Sequence, residues 1–125
     1  MAIHEDVGLL GYSPLGFGAL TGKYLNGGLP DGSRLKLFPD FKRHFKPRGI
    51  EATQRYVELV HKHDLDPTVM ALAFVNSRPF LMSNIIGATT LEQLMTNLSS
   101  KDVVLSDEIL TEIDAIHADI PNPAP

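Results

Sequence analysis

The sequence predicts an α/β fold built on a pair of parallel strands, and three observations carry that prediction. An apolar run from Val7 to Gly11 stops at Ser13-Pro14, a short strand is expected over Ser83 to Ile86, and helical periodicity fills the chain between and after them. Two strands separated by helices favour parallel pairing with a right-handed crossover. Pro14 lacks the N–H that a sheet ladder needs and holds φ near −65°, so it closes the first strand.

After that strand, Gly16, Gly18 and Gly22 let the backbone turn and approach a ligand. Ala19 to Leu25 is expected to make two helical turns, ended by Asn26-Gly27-Gly28. Residues 27–49 read as a long loop rich in glycine and proline. Its basic residues Arg34, Lys36, Lys42, Arg43, Lys46 and Arg48 alternate with Phe38, Phe41 and Phe45. That pattern is either a solvated loop with aromatic anchors or a flap that brings a cation to an anionic ligand.

Glu51 to His63 has helical spacing with Thr53, Tyr56, Val57 and Val60 on one face. It ends in His61-Lys62-His63, which suits the negative end of the helix dipole. Two histidines two positions apart on a helix point in divergent directions and do not share an ion. Asp66 and Pro67 are the N-cap and first residue of a helix whose apolar residues, Val69 to Val75, run nearly all round it. That helix is expected to be buried on more than one side. Arg78-Pro79 ends it. The second strand then breaks at Gly87-Ala88-Thr89-Thr90. Thr89 or Thr90 caps a helix with Leu91, Leu94, Met95 and Leu98 at i, i+3, i+4, i+7. Ser106 caps the last helix, with Asp107 and Glu108 in its first turn and Ile109, Leu110, Ile113 and Ile116 as its stripe. Residues 119–125 are a proline-rich irregular tail.

Composition narrows the function. The chain has 125 residues, 43% of them apolar, with a net charge of −4 and no cysteine. It therefore has the size of one domain, no basic field for nucleic acid or an anionic membrane, and no thiolate chemistry. A cytoplasmic location is expected. No nucleophile–base arrangement is evident, and no metal ligand or catalytic residue is assigned. The carboxylate pairs Glu5-Asp6, Asp107-Glu108 and Glu112-Asp114 read as solvent-facing charges.

Two strand ends carry ligand-like turns, Ser13 to Gly18 and Gly87 to Thr90. On parallel neighbours both fall at one edge of the sheet. The second is an anion site or a helix cap alone. Tyr12, just before the first turn, is either a core-edge aromatic or a platform for a stacked ring.

Gly11-Tyr-Ser-Pro-Leu-Gly-Phe-Gly-Ala-Leu-Thr-Gly-Lys-Tyr24, followed by Ile85-Ile-Gly-Ala-Thr-Thr-Leu-Glu-Gln-Leu-Met-Thr-Asn97, resembles the C-terminal part of an aldo-keto reductase. It is most similar to the bacterial branch related to voltage-gated potassium-channel β-subunits. The resemblance runs from about residue 5 to 118. It implies a partial (β/α)8 TIM barrel made of strands seven and eight with their helices, a family that transfers hydride from NADPH to aldehydes and ketones without metal.

On that resemblance Tyr12 stacks on the nicotinamide, and Ser13, Pro14, Leu15 and Gly16 line the pyrophosphate and ribose. Lys23, Ser33 and Arg34 reach the phosphates. Gly87, Thr89, Gln93 and Asn97 hold the adenosine and its 2′-phosphate. Thr96 stands where the family often has a Glu that bonds the adenine edge. The family's catalytic Asp, Tyr, Lys and His come from the first half of the barrel and match nothing here, so NADP(H) binding without independent catalysis is implied. The carbonyl substrate belongs to the intact family domain. A strand pair lacking its barrel neighbours would have bare edges, so the chain is expected to be a truncated product that self-associates or needs a companion N-terminal half. A non-catalytic NADP-binding interaction or oligomerisation module is the alternative.

Overall fold

The computed structural model describes residues 3–125. Its elements are strand β1 (Leu9–Tyr12), short helix α1 (Arg34–Leu37), α2 (Pro47–Lys62), α3 (Pro67–Asn76), strand β2 (Leu81–Ile85), α4 (Leu91–Ser99) and α5 (Asp107–Asp119). The two strands pair in parallel, with Leu9 opposite Leu81 and Tyr12 opposite Ile85. A bulge between Leu9 and Leu10 shifts the register. Tyr12 and Ile85 therefore end the sheet side by side.

The helix starts are written in the sequence. Asp66 accepts from the Thr68 and Val69 N–H groups at 2.8 and 3.1 Å. Thr90 Oγ1 accepts from Gln93 N at 3.2 Å, and Ser106 Oγ from Ile109 N at 3.3 Å. Each satisfies a donor that the first helical turn leaves without a partner.

The core lies among helices, not under the sheet. Leu59, Val60, Met70, Ala73, Leu105, Ile109, Ile113 and Ile116 form one buried cluster drawn from α2, α3, α5 and the segment before α5. Helix α3 packs against β2, α4, α2 and the turn at residues 16–21, which explains why its apolar residues encircle it. Arg55 and Asp119, 2.8 Å apart, tie α2 to α5 outside the cluster.

Several expectations are corrected. Residues 16–21 and 25–27 form short 3-10 turns in place of two regular helical turns, because left-handed backbone at Phe17, Gly18 and Asn26 interrupts them. The stretch expected as loop over 27–49 contains α1 and a 3-10 turn, and α2 begins at Pro47, ahead of Glu51. Proline at N1 donates no hydrogen bond that a helix needs and starts the helix earlier than apolar spacing shows. The stripe Leu91, Leu94, Met95 and Leu98 is helical as expected but lies open to solvent, with Leu91 at 74% exposure. On that helix it is Asn97 that is buried. The tail over 120–125 is irregular yet anchored, since Ile120 is buried and Ala124 O accepts from Arg43 Nε at 2.9 Å.

Candidate functional site

The site begins where β1 ends. Tyr12 is 78% exposed, so its ring is an open platform and not a core-edge aromatic. Ser13 then turns into the left-handed region at φ +54°, and the Gly16 N–H closes the turn on Ser13 O at 2.9 Å. Gly16, Phe17 and Gly18 continue with positive φ. Leu15 O accepts from Gly18 N at 2.9 Å and from Leu20 N at 3.2 Å. The N–H groups of Gly16, Gly18, Leu20 and Gly22 are thus spent within the turn, which fixes its shape.

The long segment after Gly22 folds back over this turn through aromatic contacts. Phe17 meets Phe41 at 5.6 Å and His44 at 5.3 Å between ring centroids, and Tyr24 meets Phe45 edge-on at 5.0 Å. The Tyr24 hydroxyl accepts from Leu35 N at 3.3 Å, which fastens α1 to the glycine turn. Arg34 stacks over Phe17 and Lys23 over Tyr24, each 5.2 Å from the ring centroid. Both cations are thus held at the turn by weak, releasable contacts. Burial, with Arg43 beside it, holds the His44 pKa below its usual range. A cavity of about 330 Å³ lies behind the turn, bordered by Tyr24, Leu29, Leu35, His44, Phe45 and Thr53.

Ser33 is the buried member of the set. It stands at the N-cap of α1, yet its hydroxyl caps nothing, and its Oγ is buried without a partner. A buried hydroxyl in that state is costly unless a ligand or water completes it.

The second turn follows β2. The Thr89 N–H and hydroxyl both donate to Gln93 Oε1, at 3.0 and 3.1 Å. Asn97 Nδ2 donates to Gly87 O at 3.3 Å, from a side chain 4% exposed. Gly87, Thr89, Gln93 and Asn97 are therefore brought together as one hydrogen-bonded turn. Tyr12 to Gly16 lie at the end of the neighbouring strand, Arg34 rests on Phe17 and Lys23 on Tyr24 beside that turn, and Ser33 precedes Arg34.

One cluster escaped sequence reasoning. Glu112 on α5 accepts from Lys62 Nζ at 2.9 and 3.0 Å and sits 2.9 Å from His63 Nε2. The hydrogen bond from Lys62, then that from His63, lowers the Glu112 pKa, while the bond to Glu112 raises that of Lys62. Glu108 lies one helical turn away, and it, His63 and Glu112 bring ligand atoms within 4.8 Å of one another. The Lys62 ammonium is the cation on this cluster, which joins the end of α2 to α5. Local spacing around His61 and His63 carries no signal of a partner so distant in sequence.

Comparison with known proteins adds family context. Residues 1–118 match the model of the Aldo/keto reductase family. The chain is 49% identical over 122 residues to "Protein tas" of Escherichia coli K12, covering 98% of this chain and 35% of that protein. It is 33% identical over 112 residues to a putative voltage-gated potassium channel subunit beta of Schizosaccharomyces pombe, covering 84% of this chain and 32% of that one. It is also 30% identical over 122 residues to an L-glyceraldehyde 3-phosphate reductase of Escherichia coli O157:H7, covering 93% and 35%. The chain thus spans about a third of the length of these relatives.

Proposed function

The chain belongs to the Aldo/keto reductase family, and from that premise we propose that it holds NADP(H) across the ends of β1 and β2. The observation that carries the proposal is the register: Tyr12 lies opposite Ile85, so the two turns stand at the same sheet edge. In this reading β1 and β2 are strands seven and eight of the family barrel, whose following loops are a recurrent phosphate site.

The residues present fit the cofactor. Tyr12 offers an exposed ring for the nicotinamide to stack on. The turn from Ser13 through Pro14 and Leu15 to Gly16 lies along the ribose and pyrophosphate. Lys23 and Arg34 leave their aromatic rests to pair with phosphate oxygens, and the unpaired Ser33 Oγ gains a partner. Gly87, Thr89, Gln93 and Asn97 flank the adenosine and its 2′-phosphate. Once bound, the nicotinamide supplies the hydride that reduces an aldehyde or ketone in the intact family domain. The part of this chain is to bind and orient. The proton donor to the carbonyl oxygen, a group worth about 10²- to 10⁴-fold in rate, belongs to the family's catalytic Asp, Tyr, Lys and His, which match nothing in this sequence. Titration of NADPH fluorescence tests the proposal: saturable enhancement is expected, and no binding at millimolar cofactor refutes it.

A second reading, a non-catalytic NADP-binding interaction or oligomerisation module, is favoured by the surface. Leu10, Met82 and Ile85 on the strands, and Leu91 and Met95 on α4, are all more than half exposed. Neither strand carries a charged residue to guard its edge. Gel filtration separates the two. A discrete oligomer, or a stable complex with a companion N-terminal half of the family domain, supports the module. A monomer throughout opposes it. Among the described residues no helix is long and apolar enough to cross a membrane.

A further inference from the structure

One imidazole and two carboxylates meet where the end of α2 faces α5. Glu108 and Glu112 are one helical turn apart, so they share a face of α5. His63 follows α2, and its backbone N–H is taken by Leu59 O at 3.3 Å and Val60 O at 3.2 Å, which fixes the position of the residue. Its side chain is 15% exposed, and Nε2 faces Glu112 Oε1 at 2.9 Å. One ligand atom from each of the three lies within 4.8 Å of the others. Ligand atoms about 2.0–2.2 Å from a tetrahedral zinc ion stand about 3.3–3.6 Å apart, so small side-chain adjustments close this set on an ion. The Lys62 ammonium now balances Glu112, at 2.9 and 3.0 Å from its two oxygens. That side chain is 59% exposed. An exposed ion pair is worth at most about fivefold, and the flexible stem lets the ammonium swing into water.

We propose that His63, Glu108 and Glu112 form a site for a divalent transition metal, for which zinc is the probe, and that Lys62 is its resident competitor. The imidazole favours zinc over magnesium or calcium, which take oxygen ligands. Zinc binds the neutral ring, so any proton on Nε2 leaves to water. Three protein ligands leave a fourth position to water. The bound ion staples α2 to α5 and stabilises the folded chain by mass action. His61 is exposed and points elsewhere, so it takes no part. None of these residues belongs to the strand-end turns, and the site stands or falls apart from the cofactor reading.

The test is competition for zinc between the full chain and a chromogenic chelator, with urea unfolding measured in zinc and in magnesium. One zinc per chain is expected, with a higher urea midpoint in zinc and none of that rise in magnesium. Lys62→Ala removes the competitor and tightens zinc about fivefold or more. Glu108→Gln deletes an exposed ligand and weakens it about tenfold or more. His63→Ala abolishes the site, and His61→Ala leaves it unchanged. Because Lys62 and Glu108 are both exposed, their variants keep the fold, checked by circular dichroism, and decide the matter even if His63→Ala does not fold. Absence of zinc uptake, an affinity unmoved or weakened in Lys62→Ala, an affinity unmoved in Glu108→Gln, or an equal loss in His61→Ala overturns the proposal.

Discussion

Gly22 joins the strand-end turn to the helical core, and replacing it with alanine separates backbone strain from packing. Its φ of +75° lies in the left-handed region, where its N–H closes on Ala19 O at 3.0 Å. A Cβ there would stand 3.0 Å from Val57 Cγ2 and 3.6 Å from Cγ1, on α2. Left-handed backbone costs an L-residue about 1–2 kcal/mol. Pressing the new methyl on a half-buried valine adds about 1 kcal/mol, the low end of overpacking. Gly22→Ala is therefore expected to lose about 2–3 kcal/mol. Gly27 is the control, with φ +77° and nothing within 4 Å of an added Cβ, so Gly27→Ala carries the strain alone, about 1–2 kcal/mol. Urea unfolding followed by circular dichroism measures both, and Val57→Ala in the Gly22→Ala background is expected to restore the packing part. If Gly22→Ala proves no worse than Gly27→Ala, the contact with Val57 is wrong, and so is the claim that α2 fixes this turn.

Other substitutions probe the remaining supports. Asp66→Ala removes the acceptor for two N–H groups and should cost about 1 kcal/mol in urea unfolding, with Asp66→Asn losing less. Acidification should weaken the fold in two windows. His44 has a pKa below 6.5, so the unfolded chain takes up its proton first, and stability falls as pH drops through that value; His44→Gln flattens this window. Glu112 has a pKa below 4.5, so its contribution is present above that pH and is lost as pH falls further; Glu112→Gln flattens the lower window. Stability measured from about pH 7.5 down to about pH 2.5 checks both. Leu10→Lys with Met82→Lys should reduce self-association in sedimentation, since charge on an edge strand blocks pairing.

What was legible in the sequence follows from how local each signal is. Asp66, Thr90 and Ser106 cap their helices because a cap is decided within three residues. The parallel pair was legible from two short strands with helices between them, and the exposed sheet edges from the family resemblance, in which both strands have barrel neighbours. The turns after each strand were legible because glycine, proline and hydroxyl side chains cluster where a strand ends. Three features were not legible. Pro47 starts α2 ahead of its apolar stripe, an effect of backbone chemistry that periodicity does not record. The Leu91–Leu98 stripe has core spacing but no core, because spacing reports only which residues share a face. The union of Glu112 with Lys62 and His63 joins residues far apart in sequence, and no local pattern marks it.

The two halves of the candidate site hang on different supports, and this bears on how they respond to a ligand. The turn after β1 is held by aromatic contacts from residues 38–45 and by α2 through Gly22 and Val57. The turn after β2 is held by its own cap and by Asn97 on α4. Helix α3 packs against β2 and α4 and against the turn at residues 16–21, while β1 and β2 pair directly. The buried cluster includes α3 but no strand residue. Segments with few buried apolar contacts open at lower free energy than the core, so the strands and their turns can fluctuate while the helices stay folded. A ligand that spans both turns orders two segments that lie outside the buried cluster and is opposed by the entropy of ordering them, which lowers its affinity. Under the proposed cofactor reading, affinity is expected to depend on how firmly the strand pair and α3 hold the two strand ends as well as on the residues that touch the cofactor.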